Sequence, residues 1–549
     1  MKRGLILAAI LVAFLIANRA AFDGYFSDDD LDNLSWATIA GSDSFWKELA
    51  SPVFSATNTR PTGGIFYRYT GLSFGLQFSR YIPFLFAIHL MNAALLFWIA
   101  RRKGAGELAA GAASVFFLFH AALLEAWWKP MYIFDLLAAT FCLVTWLLFS
   151  TRYWPAALIT FWLAYKSKEV AIFFPVVLVL DHWKRAIPFF LISASFGLQA
   201  LLVNSKRDTV YTLRFTPQAL MTTIPFYLKQ AVLNKLGALL LAPLVYLCRS
   251  REFAKGLLGS VALMLPLLFL PARLFSVYLY VPLLPLVIAL AFLFDRVPRP
   301  LLGVGLALFL GLDYQLLREK RKSELALGHE SRAYVEQLSS AHERSPLAAT
   351  AFYENAPVGL QLHGMRGALR LITKNPGARV LDPEKESSRL EAINHELPTL
   401  SWFRPKHRLS IIPHRYGEAK LSAIDFGVAA SAWQLKSGWY DREGGFRWAS
   451  PEAKLMLNAS PEARKLRVRF NIGSTIIQAI QSIEVKVLME GVEIGSSKFE
   501  TPGTPAVDYP LNRQFAGPVE VTILSSPGYF APGDDRKFGV ALIAIGLEP

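Results

Sequence analysis

The chain has 549 residues, of which 53% are hydrophobic and 18% charged, a balance too apolar for a water-soluble protein of that length and too aromatic for a disordered one. Its 57 Lys and Arg against 42 Asp and Glu leave a formal charge of +15, which admits nucleic acid, anionic lipid or a phosphate-bearing substrate until the charges are placed. Two cysteines, Cys142 in an apolar run and Cys248 beside Arg249, exclude a disulfide framework.

Apolar stretches fall at residues 4–20, 81–100, 106–124, 131–150, 154–165, 170–180, 186–203, 231–247, 256–271, 280–294 and 301–317. A helix crossing the hydrocarbon needs roughly 20 apolar residues, fewer where neighbours shield it. The pattern predicts a polytopic α-helical membrane protein with eleven transmembrane segments. The fifth and sixth are short enough for a re-entrant pair, whose removal changes no later orientation. With the amino terminus inside, every inside loop is basic: Lys2 and Arg3, Arg101 to Lys103, Arg152, Lys184 and Arg185, Arg249 with Arg251 and Lys255, Arg296 and Arg299. A cleaved signal peptide is the alternative for the first segment, but that parity requires it to be kept. The charges are thus placed by a membrane of the bacterial inner (plasma) type, and no nucleic acid is implied.

The first outer loop, 21–80, opens on Asp28, Asp29 and Asp30, with Asp32 close behind. Adjacent acids repel, so such a cluster caps a helix, ligates a divalent cation or contains a catalytic base. The outer loops should be poor in cations, yet they carry Arg60, Arg68, Arg80, Lys129, Lys166, Lys168, Lys206, Arg207, Arg214, Lys229, Lys235 and Arg273. Charge at membrane depth is retained where it lines a polar cavity or pairs. A lipid phosphate held beside the acids accounts for both signs of charge, while Lys229 and Lys235 read as headgroup anchors.

Residues 1–317 therefore form a membrane domain. An extracytoplasmic segment, 318–428, follows, with a charged helical stretch to Arg344 and an α/β pattern over 349–381. From 429 to 549 alternating runs at 466–470, 483–488 and 519–523, punctuated by Gly and Pro, predict an antiparallel β-sandwich. Trp439 and Trp448 precede those strands; they are sugar-stacking candidates, with core packing the alternative. Gly533-Asp534-Asp535-Arg536 reads as a turn, with a calcium loop or a polar binding edge as the alternatives.

Residues 20–295 resemble the GT-C superfamily of membrane glycosyltransferases, in particular the protein O-mannosyltransferase-like enzymes with transmembrane and tetratricopeptide-repeat regions. The family's first-loop acidic pair matches Asp28-Asp29-Asp30, its Arg-Pro matches Arg60-Pro61, and its His-Leu-x-Asn matches His89-Leu90-Met91-Asn92. Its later motifs match His120, Glu125-Ala126, Asp135 to Ala138, Lys168-Glu169 with Pro175 and Asp181, and Arg273 with Tyr278-Leu279-Tyr280-Val281-Pro282. Ala121 stands where the family has Pro, extra residues separate Arg273 from Tyr278, the usual Arg between Glu125 and Asp135 is missing with Lys129 as its substitute, and the repeats are absent.

The resemblance implies an inverting transfer of a sugar from a polyprenyl-phosphate donor to a hydroxyl of an envelope glycan, lipid or protein. Asp28, Asp29 and Asp30 are then the candidates for the base, with Asp29 preferred over Asp28. Arg60, Lys129, Lys168 and Arg273 are the candidates for the donor phosphate; His89, His120, Glu125, Glu169, Tyr278 and Tyr280 are supporting residues. A divalent cation at the aspartates is compatible with the same set. Because the leaving phosphate is already a weak base, one carboxylate suffices, unlike the acid–base pair of glycoside hydrolases. The alternatives are a transporter or flippase, an O-antigen-ligase-like enzyme, and a glycan-binding scaffold. A transporter should show matched halves with broken helices, and no such symmetry is visible.

The basic inside loops place the amino terminus in the cytoplasm and the carboxyl domain outside. Alkaline phosphatase joined after Pro549 should be active and green fluorescent protein joined there dark; the reverse result would invert the topology.

Overall fold

The computed structural model describes residues 2–40, 44–52, 60–204, 212–231, 250–383, 385–412, 419–427, 429–531, 534 and 536–549. The expected segment at 231–247 lies almost wholly outside these residues, as do Lys206, Arg207, Lys235 and Cys248. Cys142 is buried and free.

The apolar stretches become helices whose outward faces stay apolar. Leu5, Trp98 and Leu191 are each 67% exposed, surface that water disfavours and hydrocarbon covers. By length and apolarity, four helical segments among the described residues qualify as spans: Gly4–Asp23, Phe78–Arg102, Pro130–Phe149 and Arg299–Arg344. A bent pair, Glu107–Phe119 and Ala121–Trp128, makes a fifth. The expected count of eleven is therefore not reached among the described residues. Several other segments are helices of 12 to 18 residues, such as Ala156–Ser167, Leu283–Phe294 and Arg251–Leu268. The sixth and seventh expected segments join in one helix, Phe174–Asn204, interrupted where His182 leaves helical geometry (φ −147°, ψ 91°).

The chain divides into two compact units, Met1–Arg332 with Val358–Pro376, and Ala333–Pro357 with Gly377–Pro549. This differs from the division expected after residue 317. In the first unit the short helix Asp28–Ser35 packs on the helix Leu362–Thr373, which the sequence places in the outer α/β segment. Gly367 makes the approach possible, since a Cβ there would fall 2.3 Å from the Leu31 carbonyl carbon and 2.4 Å from the Asp32 nitrogen. Asp32 adds a two-pronged pair with Arg366 (Nε–Oδ1 3.1 Å, Nη2–Oδ2 2.8 Å).

In the second unit, Thr350–Glu354 pairs in parallel with Arg379–Leu381 and Thr399–Phe403, and the latter pairs antiparallel with Arg408–Ile412. The sandwich follows as expected. One sheet runs Val492–Phe499, Ile483–Met489, Gly517–Ser526, Glu452–Ala459. The other runs Ala506–Pro510, Lys465–Asn471, Ala541–Glu548, Phe446–Ala449, Trp439–Glu443. The period-two pattern explains both: Leu466, Val468 and Phe470 face the core with Val485, Val487, Val521 and Ile523, and Arg467 and Arg469 face out. Trp439 belongs to that core, 1% exposed, stacked on Phe426 and donating Nε1–H to the Lys454 carbonyl at 2.7 Å. The sugar-stacking reading of Trp439 is corrected accordingly, because neither ring face is available.

Because backbone atoms oppose a Cβ at position 367, Gly367→Ala should destabilise the full chain in detergent by about 1–3 kcal/mol. Gly111→Ala, where a Cβ meets nothing within 4 Å, should raise stability by about 0.5–1 kcal/mol through helix propensity. Thermal unfolding followed by tryptophan fluorescence checks both, and equal melting temperatures for the two variants would remove the close contact.

Candidate active site

The acidic cluster resolves into different roles for its members. Ser27 is the N-cap of the Asp28–Ser35 helix, and its backbone N–H and hydroxyl both donate to Asp30 Oδ2 at 2.8 Å. Tyr67 donates to Asp30 Oδ1 at 2.9 Å. Asp30 is fully buried, and burial pushes its carboxyl up to about 6 against the opposing hydrogen bonds from Ser27 and Tyr67. The Tyr67 hydroxyl is in turn raised, by burial first and by Asp30 second. Asp28 Oδ1 accepts from the backbone N–H groups of Gln361 (2.8 Å) and Gly364 (2.5 Å), so it caps the Leu362–Thr373 helix. Burial raises the Asp28 carboxyl, the two N–H groups oppose, and the Asp29 charge adds to the rise. Asp29 is exposed. Its carboxylate makes no hydrogen bond or ion pair among the described residues.

The cations are paired. Arg60 holds Glu169 in a fork, Nε–Oε1 and Nη2–Oε2 both 3.1 Å. Arg60 itself stands in the left-handed region (φ 43°, ψ 66°) just ahead of the helix that Pro61 opens, a strained position for a residue with a side chain. Its guanidinium lies 5.6 Å from the Phe134 ring centre, and Gly63 lets that ring approach, since a Cβ there would fall 2.1 Å from it. Burial alone would raise the Glu169 carboxyl, but Arg60, followed by Lys168, holds it below the ordinary glutamate value. Lys168 Nζ donates to both oxygens of Asp135 at 2.7 Å and sits 4.8 Å from the Tyr278 ring centre. Arg273 donates to the Tyr278 hydroxyl at 3.1 Å. Three expected phosphate ligands are thus gathered around Tyr278, Phe134 and their two carboxylate partners.

Lys129, the fourth, pairs with Glu324 at 2.6 Å and Glu125 at 3.5 Å, and Tyr132 donates to Glu125 at 3.1 Å. Its charge reaches Asp30, which links the two groups of residues.

The remaining supporting residues are part of the helix packing. His89 Nδ1 meets the Tyr280 hydroxyl at 2.6 Å and Nε2 meets the Leu118 carbonyl at 3.1 Å; a carbonyl only accepts, so Nε2 carries the hydrogen. Asn92 donates to Tyr280 at 3.2 Å, and the His89 ring stacks on Trp127 at 4.1 Å. His120 accepts from the Ala122 N–H at the break of the bent helix and meets the Ala231 carbonyl. Arg68 binds the carbonyls of Ala37 and Thr38. Asp181 pairs with Lys103 (2.6 Å) and Lys255 (3.4 Å), both assigned to inside loops, so it stands with the inside charges. Trp448 is half-buried on the sandwich, its Nε1–H on Glu443 and its ring 5.2 Å from Phe538. Among the described residues no group of three or more His, Cys, Asp or Glu is arranged to hold a metal ion.

Sequence reasoning missed Tyr67, Asp313 and Glu324. Glu324 sits in a charged stretch that reads as a solvated helix face, and Tyr67 offers no signal. Asp313, an acid within an apolar segment, is a signal in itself.

No protein-family profile matches the chain, and no curated protein matches it. Among solved structures, the chain is similar to the crystal structure of ArnT from Cupriavidus metallidurans in the apo state, with 12% identity and a TM-score of 0.46 over 73% of this chain and 93% of that one.

The raised Asp30 carboxyl has a pH signature. Its folded value of about 6 exceeds the ordinary 3.8, so the stability contributed by its proton is fully present below about pH 4 and lost as pH rises through about 6. Relative to Asp30→Asn, the wild type should lose ~3 kcal/mol between pH 4 and 7. A wild-type-minus-variant stability difference that stays flat over this window would show the carboxyl to be ordinary.

Proposed function

We propose that this chain is a membrane glycosyltransferase of the GT-C type. It moves a sugar from a polyprenyl-phosphate donor to an acceptor hydroxyl of an envelope glycan, lipid or protein at the outer face, with inversion at the anomeric carbon. The observation that carries this reading is the gathering of three cations from separate segments: Lys168 and Arg273 on Tyr278, and Arg60 beside them on Glu169, its charge felt by Tyr278. Ionised groups concentrated at such a place mark a polar functional site.

On this reading the carboxylates Glu169 and Asp135 hold Arg60 and Lys168 in position before the donor arrives. Lys168 spends two N–H bonds on Asp135 and keeps a third for a phosphate oxygen. As the C–O bond to the phosphate breaks, negative charge grows on the leaving oxygens, where fixed cations stabilise it. The acceptor oxygen attacks from the opposite face and gives its proton to a carboxylate. Asp29 is the base in this scheme, because Asp28 and Asp30 are occupied as caps. In the sandwich, Trp448 is the aromatic residue left for glycan recognition now that Trp439 is in the core. The expected orientation puts the amino terminus in the cytoplasm and both sites outside.

Purified protein and a synthetic polyprenyl-phosphate sugar test the scheme. Arg60→Ala, Lys168→Ala and Arg273→Ala should each raise the donor KM roughly 10-fold or more through loss of a charge-assisted bond. Asp29→Asn should lower kcat by about 10²–10⁴ with donor binding intact. Unchanged donor KM in all three alanine variants would remove the phosphate site, and wild-type turnover by Asp29→Asn would remove the base.

A further inference from the structure

A break in a membrane helix exposes backbone groups that hydrocarbon cannot satisfy. The chain has such a break at His120, where Glu107–Phe119 gives way to Ala121–Trp128 at an angle of 45°. His120 serves the Ala122 N–H through Nδ1 at 3.2 Å. Both backbone groups of Ala121 are served from the last membrane helix, Arg299–Arg344: its N–H donates to Asp313 Oδ1 at 2.8 Å, and its carbonyl accepts from Lys320 Nζ at 3.1 Å. Lys320 also donates to the Ser276 hydroxyl at 3.2 Å, tying in the segment just before Tyr278. One turn further along, Glu324 meets Lys129 Nζ at 2.6 Å.

Asp313, Lys320 and Glu324 are seven and four residues apart, which puts them in one stripe along a single helix face. The stripe grips the two ends of one short segment, 121–129. It runs from a buried end to a half-buried one: Asp313 is 0% exposed, and the side chains of Glu324 and Lys129 are each 16% exposed. A residue without an N–H at position 121 would leave Asp313 Oδ1 without its donor, beside an Oδ2 that has none, so the N–H here and the aspartate at 313 depend on one another.

We infer that Asp313, Lys320 and Glu324 are positioning residues of the transfer site: the last helix fixes the helix break at Ala121 and, through Glu324, sets Lys129 toward the donor phosphate. The inference rests on the proposed donor site and extends it to a helix beyond residues 20–295. The role of that helix is to fix where the Lys129 ammonium stands, with Glu125 as the second support.

Two measurements on the full chain in detergent decide it. In the first, hydrogen exchange of the amides in 119–130 is followed without donor. Asp313→Asn, Lys320→Met and Ala121→Pro should each speed exchange there at least 10-fold, and Ala121→Pro combined with Asp313→Asn should do no more than Ala121→Pro alone. Unchanged exchange in all of them would overturn the clamp. The second measurement is kinetic. Glu324→Gln should raise the donor KM to about the level of Lys129→Ala, roughly 10-fold, with the apparent KM for isolated envelope membranes as acceptor unchanged. Glu324→Asp should recover part of the loss, and the Lys129→Ala, Glu324→Gln double variant should be no worse than Lys129→Ala. Faster exchange with an unmoved donor KM would reduce the stripe to a structural brace and overturn its positioning role. If the wild type transfers no sugar from any polyprenyl-phosphate donor, the proposed function fails, and the exchange result then decides the clamp by itself.

Discussion

Desolvated charge governs the architecture of the helical unit. A carboxylate or ammonium taken out of water loses far more than one hydrogen bond returns, and three of the candidate site's four cations have carboxylate partners suited to their shape. Arg60 has the planar fork of Glu169, Lys168 the two oxygens of Asp135, and Lys129 the two glutamates Glu324 and Glu125. Such pairs are weak stabilisers, because replacing both partners with apolar groups often leaves stability unchanged or higher. Their presence in so apolar a chain is therefore better explained by use than by stability. An anion entering among them meets cations that are already partly desolvated and held in place, which is the arrangement electrostatic catalysis needs.

The same constraint separates the three neighbouring aspartates of the first outer loop. Asp30 is buried and Asp28 half-buried, and each accepts from fixed donors, one mainly beside its own helix and one across to another. Asp29, between them, remains exposed. Two of the adjacent acids are held by local hydrogen bonds, and the one between them is left in solvent, where an incoming hydroxyl can reach it. Its neighbours fix the backbone that carries it.

What could be read from the chain depended on how local the cause was. Strand alternation is local, and the runs at 466–470, 483–488 and 519–523 are strands with the expected faces buried. Apolar segments were legible as helices, but not the join of two of them through His182, whose turn out of helical geometry carries no Pro or Gly signature. Arg60, Lys168 and Arg273 were legible as out-of-place cations. Their partners were less so, because Glu169 is 109 residues from Arg60 and Asp135 is 33 from Lys168. Trp439 illustrates the limit from the other side: nothing in its neighbours in sequence distinguishes a ring that stacks on Phe426 from one offered to solvent. Glu324 was hidden because a glutamate in a charged helical stretch looks solvated until the segment opposite it is known.

The cap that Asp28 places on the Leu362–Thr373 helix spans 336 residues between Asp28 and Gly364. During synthesis the first outer loop emerges long before its counterpart, and at about 5–20 residues per second the interval is roughly 20–70 s. Throughout that time Asp28 and Asp32 have neither the N–H groups nor the arginine that later neutralise them. They remain hydrated, and the surface that Gly367 later closes stays open. Assembly of the acidic helix thus waits until the helices between it and residue 361 have been made, and a chain that stops short of residue 361 lacks the N–H groups that Asp28 caps.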